Sequence, residues 1–234
     1  MTVCIIPARG GSKRIPGKNV RVFAGRPLIA HSIMTARDSG LFDRVIVSTD
    51  KEEVADVARD WGAEVPFLRP GYLADDFVGT NPVVRHTLEW LQEQAACPPL
   101  ACCLYATAPL LDPEALIQGR QRLDRGDVEF AVSVTSYEFP IQRALRPNED
   151  GLLVPVHPEL YRTRSQDLEE RYHDAGQFYW GYTGSWLAER EFFEAPTAAV
   201  PLPRHRVQDI DTPEDWQRAE YLYRILLAEE EDGQ

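Results

Sequence analysis

The feature that most restricts the fold of this sequence is a regular alternation of short apolar runs with amphipathic helical patterns. Residues 3–6, 45–47, 100–104 and 130–134 are apolar at almost every position, which is typical of strands covered on both faces. Helical patterns lie between them, two of which open with Pro27 and with Asn81 and Pro82. This alternation predicts one α/β domain over residues 1–234, in which helices cover both faces of a twisted, mostly parallel sheet. Ligands of such sheets bind at the carboxyl ends of the strands.

Residues 137–184 have a different character. The helical and strand periods are lost there, and Pro, Arg, Gln and aromatic residues are frequent. We interpret this segment as a β-rich arm inserted into the single domain. A last helix is expected to start at Thr212 and Pro213.

Charge and cysteine content exclude several classes of protein. The formal net charge is −12, and nucleic-acid binding depends mainly on Lys and Arg that neutralise phosphates, so no nucleic-acid partner is expected. The four cysteines form no C-x-x-C pair and are expected to be reduced thiols. Because the N-terminus lacks a signal-peptide pattern and no segment is long and apolar enough to span a bilayer, we expect a cytoplasmic protein with no membrane partner.

The stretch that follows the first predicted strand is strongly cationic. Residues 9–21 contain five cations and no acid, namely Arg9, Lys13, Arg14, Lys18 and Arg21. Gly10, Gly11 and Gly17 would let backbone N–H groups approach an anion closely, so a small, highly charged anion is the expected ligand. The loop is not a P-loop, since five residues separate Gly11 from Gly17 and Asn19 follows Lys18. A surface loop with solvated cations is the alternative interpretation.

A pair of aspartates near the C-terminus is a candidate metal site. Asp209 and Asp211 are separated by one residue, which in an extended chain places both carboxylates on one side, about 7 Å apart. Mg²⁺ takes few protein carboxylates and completes its octahedron with water and phosphate oxygens. Alternatively, Asp211 and Thr212 only cap the helix that follows.

The arm carries a third group of polar residues. Arginines bind carboxylates through two hydrogen bonds, and Gln and Tyr can address hydroxyl and amide groups. The same residue types are also enriched at subunit interfaces, so both interpretations stay open. The group comprises Gln142, Arg143, Arg162, Arg164, Gln166, His173, Asp174, Gln177 and Tyr179.

The loop, the aspartate pair and the arm together resemble the CMP-sialic-acid synthetase family of cytidylyltransferases. Residues 7–19 match the opening pattern of that family, Pro-Ala-Arg-x-Gly-Ser-Lys followed by Lys-Asn. The resemblance continues through residues 47–50, 68–70, 106–109 and 208–212. Residues 163–170 and 172–180 are similar to the pseudaminic acid branch of the family.

The resemblance implies a fold, a reaction and partners. The fold is a three-layer sheet of the nucleotide-diphospho-sugar transferase type, and the inserted arm serves dimerisation, so that each arm of a homodimer completes the sugar pocket of the other subunit. The anomeric hydroxyl of a nine-carbon α-keto sugar acid, with pseudaminic acid favoured, attacks the α-phosphorus of CTP. Pyrophosphate leaves with Mg²⁺.

The resemblance also assigns residues. Arg9, Lys13 and Lys18 are the candidate catalytic residues, because transfers of this type depend mainly on positioning and on stabilisation of phosphate charge. The other assignments follow by class: nucleotide-binding, Ala8, Arg9, Gly10, Gly11, Ser12, Lys13, Lys18, Asn19, Arg69 and Thr80; sugar-binding, Tyr105, Gln142, Arg143, Arg164, Gln177 and Tyr179; metal-binding, Asp209 and Asp211.

Several alternatives stay open at this point. Many sialic acid synthetases have Gln where this chain has Tyr105, which counts against N-acetylneuraminate itself. N-acylneuraminate, legionaminate or Kdo remain other sugar substrates, and a glycosyltransferase or a non-catalytic nucleotide-binding protein remain other functions. His173, Asp174, Asp209 or a metal-bound water could serve as general base.

Overall fold

The computed structural model describes residues 1–75 and 77–232, with side chains described through residue 229. Within these residues the strands are β1 (Thr2–Pro7), β2 (Val22–Phe23), β3 (Arg26–Pro27), β4 (Arg44–Ser48), β5 (Leu100–Leu104), β6 (Phe130–Ser136), β7 (Leu145–Pro147), β8 (Leu153–Pro155), β9 (Tyr172–Tyr182) and β10 (Thr197–Pro201). The α-helices are α1 (Leu28–Asp38), α2 (Glu52–Asp60), α3 (Thr80–Glu93), α4 (Pro113–Asp124), α5 (Thr183–Leu187) and α6 (Pro213–Asp232).

Six strands form one central sheet in the order β10-β6-β9-β5-β1-β4. Strand β1 pairs in parallel with β4 and β5, and β6 pairs in parallel with β10. Strand β9 runs antiparallel between β5 and β6. The predicted mostly parallel α/β sheet is therefore confirmed.

Helices cover both faces of this sheet. In β1, Cys4 and Ile6 pack on one face with side chains of α1, α2 and α4, whereas Val3 and Ile5 pack on the other face with α3 and α5. Because successive strand residues point to opposite faces, a strand that is apolar at each position needs a helical layer on both sides. The three-layer arrangement expected from the resemblance is confirmed.

The predicted arm differs in part from the structure. Strands β7 and β8 pair as a small separate antiparallel sheet, as expected of a β-rich insertion. The last part of the predicted 137–184 segment, however, is β9, which begins with three exposed residues and whose second half is buried in the central sheet. Its partners β5 and β6 lie far away in the sequence. No local sequence pattern therefore indicates where the inserted arm ends and the central sheet continues.

Residues with turn and capping preferences stand at the ends of several helices. Gly40 and Gly62 follow α1 and α2 with φ angles of 65° and 88°, a left-handed conformation that glycine adopts without strain. At the start of α4, the Asp112 carboxylate accepts a hydrogen bond of 2.9 Å from the backbone N–H of Glu114.

All four cysteines are free thiols, as predicted. Cys102 and Cys103 are buried on opposite faces of β5. Within the described residues, no helix combines the length and apolarity needed to cross a bilayer.

Candidate active site

The cationic loop lies at the carboxyl end of β1 and is held in place by its own side chains. The Asn19 side-chain amide donates to the backbone carbonyl of Arg9 over 2.9 Å, which ties the two ends of the loop together. Ile15 is fully buried and packs with Ile210 and Trp216. This apolar contact brings the loop beside the segment that carries the predicted metal ligands.

Gly10 fits the loop against the neighbouring strand end. Its backbone N–H donates to the Asp50 carboxylate over 2.8 Å. A Cβ atom at this position would lie 2.0 Å from the Cγ atom of Lys51, whereas one at Gly11 would meet nothing within 4 Å. Gly10 therefore allows close packing against residues 50 and 51. Its N–H is already hydrogen-bonded to the Asp50 carboxylate and does not point to a bound anion.

A cavity of about 500 Å³ opens beside the loop. The end of β1, the loop, the start of α3 and the segment after β5 all contribute to its walls. Nine of the predicted site residues are among those that line it, namely Arg9, Ser12, Lys13, Lys18, Asn19, Arg69, Thr80, Tyr105 and Asp211. Ala8, Gly10 and Gly11 belong to the same loop but do not line the cavity, and Ala8 is buried.

Arg69 is the most unusual of these cations. Its side chain is only 6% exposed, and its Nε and Nη2 atoms are buried without a hydrogen-bond partner. Burial lowers the pKa of the guanidinium, the nearby Asp50 carboxylate opposes this, and the cation of Arg9 adds to the lowering. Because an unsatisfied buried donor is unfavourable, this arrangement is suited to an anion that enters the cavity and accepts those hydrogen bonds.

Lys18 and Arg14 meet Asp211 at the other side of the cavity. The Lys18 ammonium donates to the backbone carbonyl of Ile210 over 2.6 Å and lies 3.4 Å from the Asp211 carboxylate. Arg14 forms an ion pair of 2.7 Å with the same carboxylate. Asp211 thus lies among cations at the wall of the first cavity.

The two predicted metal ligands face different cavities. Asp211 lines the cavity described above, and Asp209 lines a second cavity of about 570 Å³. Desolvation raises the pKa of Asp209, and the negative charge of Asp211 raises it further. In the part of the chain that the structure describes, no group of three or more His, Cys, Asp or Glu side chains could hold a metal ion by itself. Mg²⁺ needs only one or two protein carboxylates when phosphates supply its other ligands, so the type and number of these side chains are compatible with that ion.

Tyr105 and Thr80 form one edge of the first cavity. Their hydroxyl groups share a hydrogen bond of 2.6 Å. The backbone of Tyr105 is fixed on two sides, since its N–H donates to Gln177 and its carbonyl accepts from the Ser32 hydroxyl. Burial is the main reason why the pKa of Tyr105 is raised, so its phenol stays neutral at physiological pH.

The structure does not bring the other predicted sugar-binding residues into this cavity. Gln142 is buried and donates to the backbone carbonyl of Glu169, Arg143 donates to that of Thr163, and Arg164 is exposed in the arm. Gln177 is buried, and its side-chain amide donates to the carbonyls of Ala175 and Gly176. Tyr179 is buried next to Tyr105. Their proposed roles remain predictions.

Two site residues were missing from the sequence-based assignment. Arg14 was counted among the loop cations, yet only the fold shows that it pairs with Asp211. Asp50 holds Gly10 and lies close to Arg69. Its position three residues after the predicted strand at residues 45–47 is the signal that could have identified it.

A match to a protein-family model shows which family this site belongs to. Residues 3–180 match the model described as "Cytidylyltransferase". The chain belongs to the cytidylyltransferase family. It is therefore an enzyme of the nucleotidyltransferase class, and the matched segment includes the loop, Arg69, Thr80 and Tyr105.

Relatives of this cytidylyltransferase match along nearly its whole length. It is 45% identical over 223 residues to the pseudaminic acid cytidylyltransferase of Campylobacter jejuni, covering 95% of this chain and 96% of the relative. It is 34% identical over 235 residues to the CMP-N,N'-diacetyllegionaminic acid synthase of Legionella pneumophila, with the same coverage. The solved structure of a CMP-2-keto-3-deoxy-manno-octonic acid synthetase complexed with CTP shares the fold, with a TM-score of 0.70, 17% identity, and coverage of 95% of this chain and 98% of that one.

Proposed function

We propose that this cytidylyltransferase converts CTP and pseudaminic acid, a nine-carbon α-keto sugar acid, into the CMP-sugar and pyrophosphate. The observation that carries the proposal is the cavity in which Arg9, Lys13, Lys18 and the incompletely hydrogen-bonded Arg69 converge at the carboxyl end of the sheet. With Arg14, five cations line this cavity, and in a protein of net charge −12 such a concentration of positive charge suits a triphosphate. The similarity to the Campylobacter enzyme supports the choice of sugar.

The two cavities suggest how two substrates could meet. The nucleotide phosphates occupy the first cavity, and the sugar acid approaches from the second. Asp209 and Asp211 line different cavities and are separated by one residue, so the reacting atoms would meet near this segment. The anomeric oxygen of the sugar forms a bond to the α-phosphorus, the bond to the pyrophosphate oxygen breaks, and the hydroxyl proton is released.

The chain contributes charge stabilisation and orientation to this transfer. Arg9, Lys13 and Lys18 stabilise the negative charge that develops on the phosphates, and Arg69 holds the nucleotide. Mg²⁺, held by Asp209 and Asp211, would neutralise phosphate charge and favour departure of pyrophosphate. Lys18 is already directed to this segment by its hydrogen bond to Ile210.

The proposal includes a homodimer in which the arm around β7 and β8 contacts the second subunit. Phe139, Leu152 and Leu153 are exposed by 77%, 65% and 69% on this part of the chain. Large apolar side chains that are exposed in one segment are what an interaction surface would cover. Gln142, Arg143 and Arg164 lie in the same arm, where they could serve the sugar pocket of the other subunit. Four free thiols support a cytoplasmic location.

A substrate panel tests the function. The enzyme is incubated with CTP, Mg²⁺ and, in turn, pseudaminic, legionaminic, N-acetylneuraminic and Kdo sugars, with pyrophosphate release and mass spectrometry as readouts. We expect a CMP-sugar with the highest kcat/KM for pseudaminic acid. A CMP-sugar formed only with another acid would contradict the choice of substrate. Absence of pyrophosphate release with all of them would contradict the reaction.

A further inference from the structure

Strand β9 carries an irregularity at the edge of the site. Val134 of β6 pairs with Asp174, but Val132, only two residues away, pairs with Tyr179. Five steps along β9 therefore match two steps along β6, which is a bulge. Gly176 lies within it at a φ angle of 60°, and the buried side-chain amide of Gln177 donates to the carbonyls of residues 175 and 176. Gly176 and the side chain of Gln177 therefore stabilise this bulge.

The bulge creates a contact that a regular strand would forbid. Residues five positions apart in a strand point to opposite faces, with Cα atoms roughly 17 Å apart. Here the Tyr179 hydroxyl lies 2.9 and 2.8 Å from the two carboxylate oxygens of Asp174. One of these oxygens also accepts from the backbone N–H of Gly176 over 2.8 Å. Bulges often redirect side chains next to active sites.

Tyr179 connects the bulge to the wall of the first cavity through ring contacts. Its ring stacks on Phe192, with centroids 4.7 Å apart, and packs at an angle against Tyr105, with centroids 5.4 Å apart. Tyr105 in turn shares its hydroxyl hydrogen bond with Thr80 at the cavity wall. Asp174 lines the second cavity and Tyr105 the first, so one series of contacts connects the two.

We propose that Asp174 is a positioning residue, which acts through Tyr179 to fix the Tyr105 and Thr80 edge of the nucleotide cavity. The inference rests on the proposed function, because that edge faces the bound substrates only if both cavities are used. The Asp174 carboxylate holds the Tyr179 hydroxyl, Phe192 holds the Tyr179 ring, and Tyr105 is left with a single orientation. Orientation at this level affects rates strongly, since small displacements of contacting groups slow catalysis.

A double-mutant cycle with Asp174→Ala and Tyr179→Phe tests this role. We expect each single variant to lower kcat/KM by about tenfold, with a raised KM for CTP or for the sugar acid. The double variant should lose no more than about threefold beyond either single variant, because both changes break the same contact. Asp174→Asn keeps an oxygen that can accept the Tyr179 hydroxyl, and we expect it to stay within about threefold of the wild type.

Tyr182→Phe is the matched control. It removes a hydroxyl from the same strand, one that donates to the backbone carbonyl of Leu123 over 3.1 Å, and we expect its KM values to equal those of the wild type. Additive losses in the double variant, unchanged KM values in both single variants, or a loss in Asp174→Ala with none in Tyr179→Phe would each overturn the positioning role. A wild-type enzyme that forms no CMP-sugar would contradict the proposed function instead, and the same cycle would then be measured on CTP affinity.

Discussion

At the scale of one residue, Arg69 is expected to lower the stability of the folded protein while it contributes to ligand binding. Its buried Nε and Nη2 atoms have no hydrogen-bond partner, so Arg69→Met should raise the free energy of unfolding by about 1–3 kcal/mol. The same change removes a cation from the cavity, and we expect the KM for CTP to rise about tenfold or more. Thermal unfolding and steady-state kinetics measure the two effects. A lower melting temperature with an unchanged KM would contradict the assignment.

Lys18 is expected to act in the transition state. Its ammonium group lies at the cavity wall, where it contacts Ile210 and Asp211. Lys18→Ala should lose about 2–4 kcal/mol of barrier stabilisation, which is roughly 30-fold to 1,000-fold in kcat. Arg21→Met is the control, because Arg21 belongs to the same stretch but stacks on Trp216. A decrease below tenfold in Lys18→Ala would exclude Lys18 as a catalytic residue.

Asp209 predicts a pH dependence of stability. Its pKa in the folded protein is raised by desolvation and by Asp211, so the folded state binds this proton more tightly than the unfolded state. Stability is therefore lost as pH rises from the ordinary carboxyl pKa through the raised value, and the whole penalty is present above it. Without metal, Asp209→Asn should have a higher melting temperature than the wild type at neutral pH. The difference should shrink as the pH approaches about 4.

Added Mg²⁺ provides the second arm of that experiment. If Asp209 and Asp211 hold the ion together with CTP, Mg²⁺ and CTP should raise the melting temperature of the wild type more than that of Asp209→Asn. Equal increases would contradict the metal assignment. A difference between the two proteins that stays constant with pH would contradict the raised pKa.

At the scale of one element, the loop after β1 offers a matched pair of glycines. A Cβ at Gly10 would collide with Lys51, and one at Gly11 would lie in open space. Gly10→Ala should therefore lower stability by about 1–3 kcal/mol, while Gly11→Ala should leave the melting temperature unchanged. Circular dichroism melts of both variants measure this. Equal melting temperatures would show that residues 50 and 51 do not constrain the loop.

The loop and β9 also differ in how far their structures could be predicted. The loop is recognisable because its cations and glycines are consecutive and follow an apolar run directly. The sequence places β9 in the arm because no period is visible there, and the structure gives the reason: its two partners are distant and a bulge interrupts the period of two. Local patterns report local structure, whereas the pairing of distant strands depends on the whole sheet.

At the scale of the whole molecule, the proposed homodimer depends on the exposed arm. Leu153→Glu places a charge on an apolar surface, so we expect the dissociation constant of the dimer to rise about tenfold or more. The KM for the sugar acid should rise at the same time, because each arm would complete the pocket of the other subunit. Tyr221→Glu changes a comparably exposed residue, at 59%, on α6. Analytical ultracentrifugation compares the two. A wild-type enzyme that is fully active as a monomer would contradict the dimer.

The sequence by itself determined the sheet class and the concentration of positive charge in the loop after β1. Both follow from consecutive residues: an apolar run such as β1 must be covered on both faces, and a dense group of cations attracts an anion. The resemblance of the loop, the aspartate pair and the arm also indicated the cytidylyltransferase family, which the family match confirms.

Only the tertiary structure decided which of these residues meet. Packing of Ile15 against Ile210 places Lys18 and Arg14 beside Asp211, although almost 200 positions separate them. The bulge in β9 brings Asp174 to Tyr179, and the fold leaves Arg69 buried without a full set of partners. Distances of this kind arise from chain topology and from burial in a shared core. Neither chain topology nor burial can be read from the identity of consecutive residues.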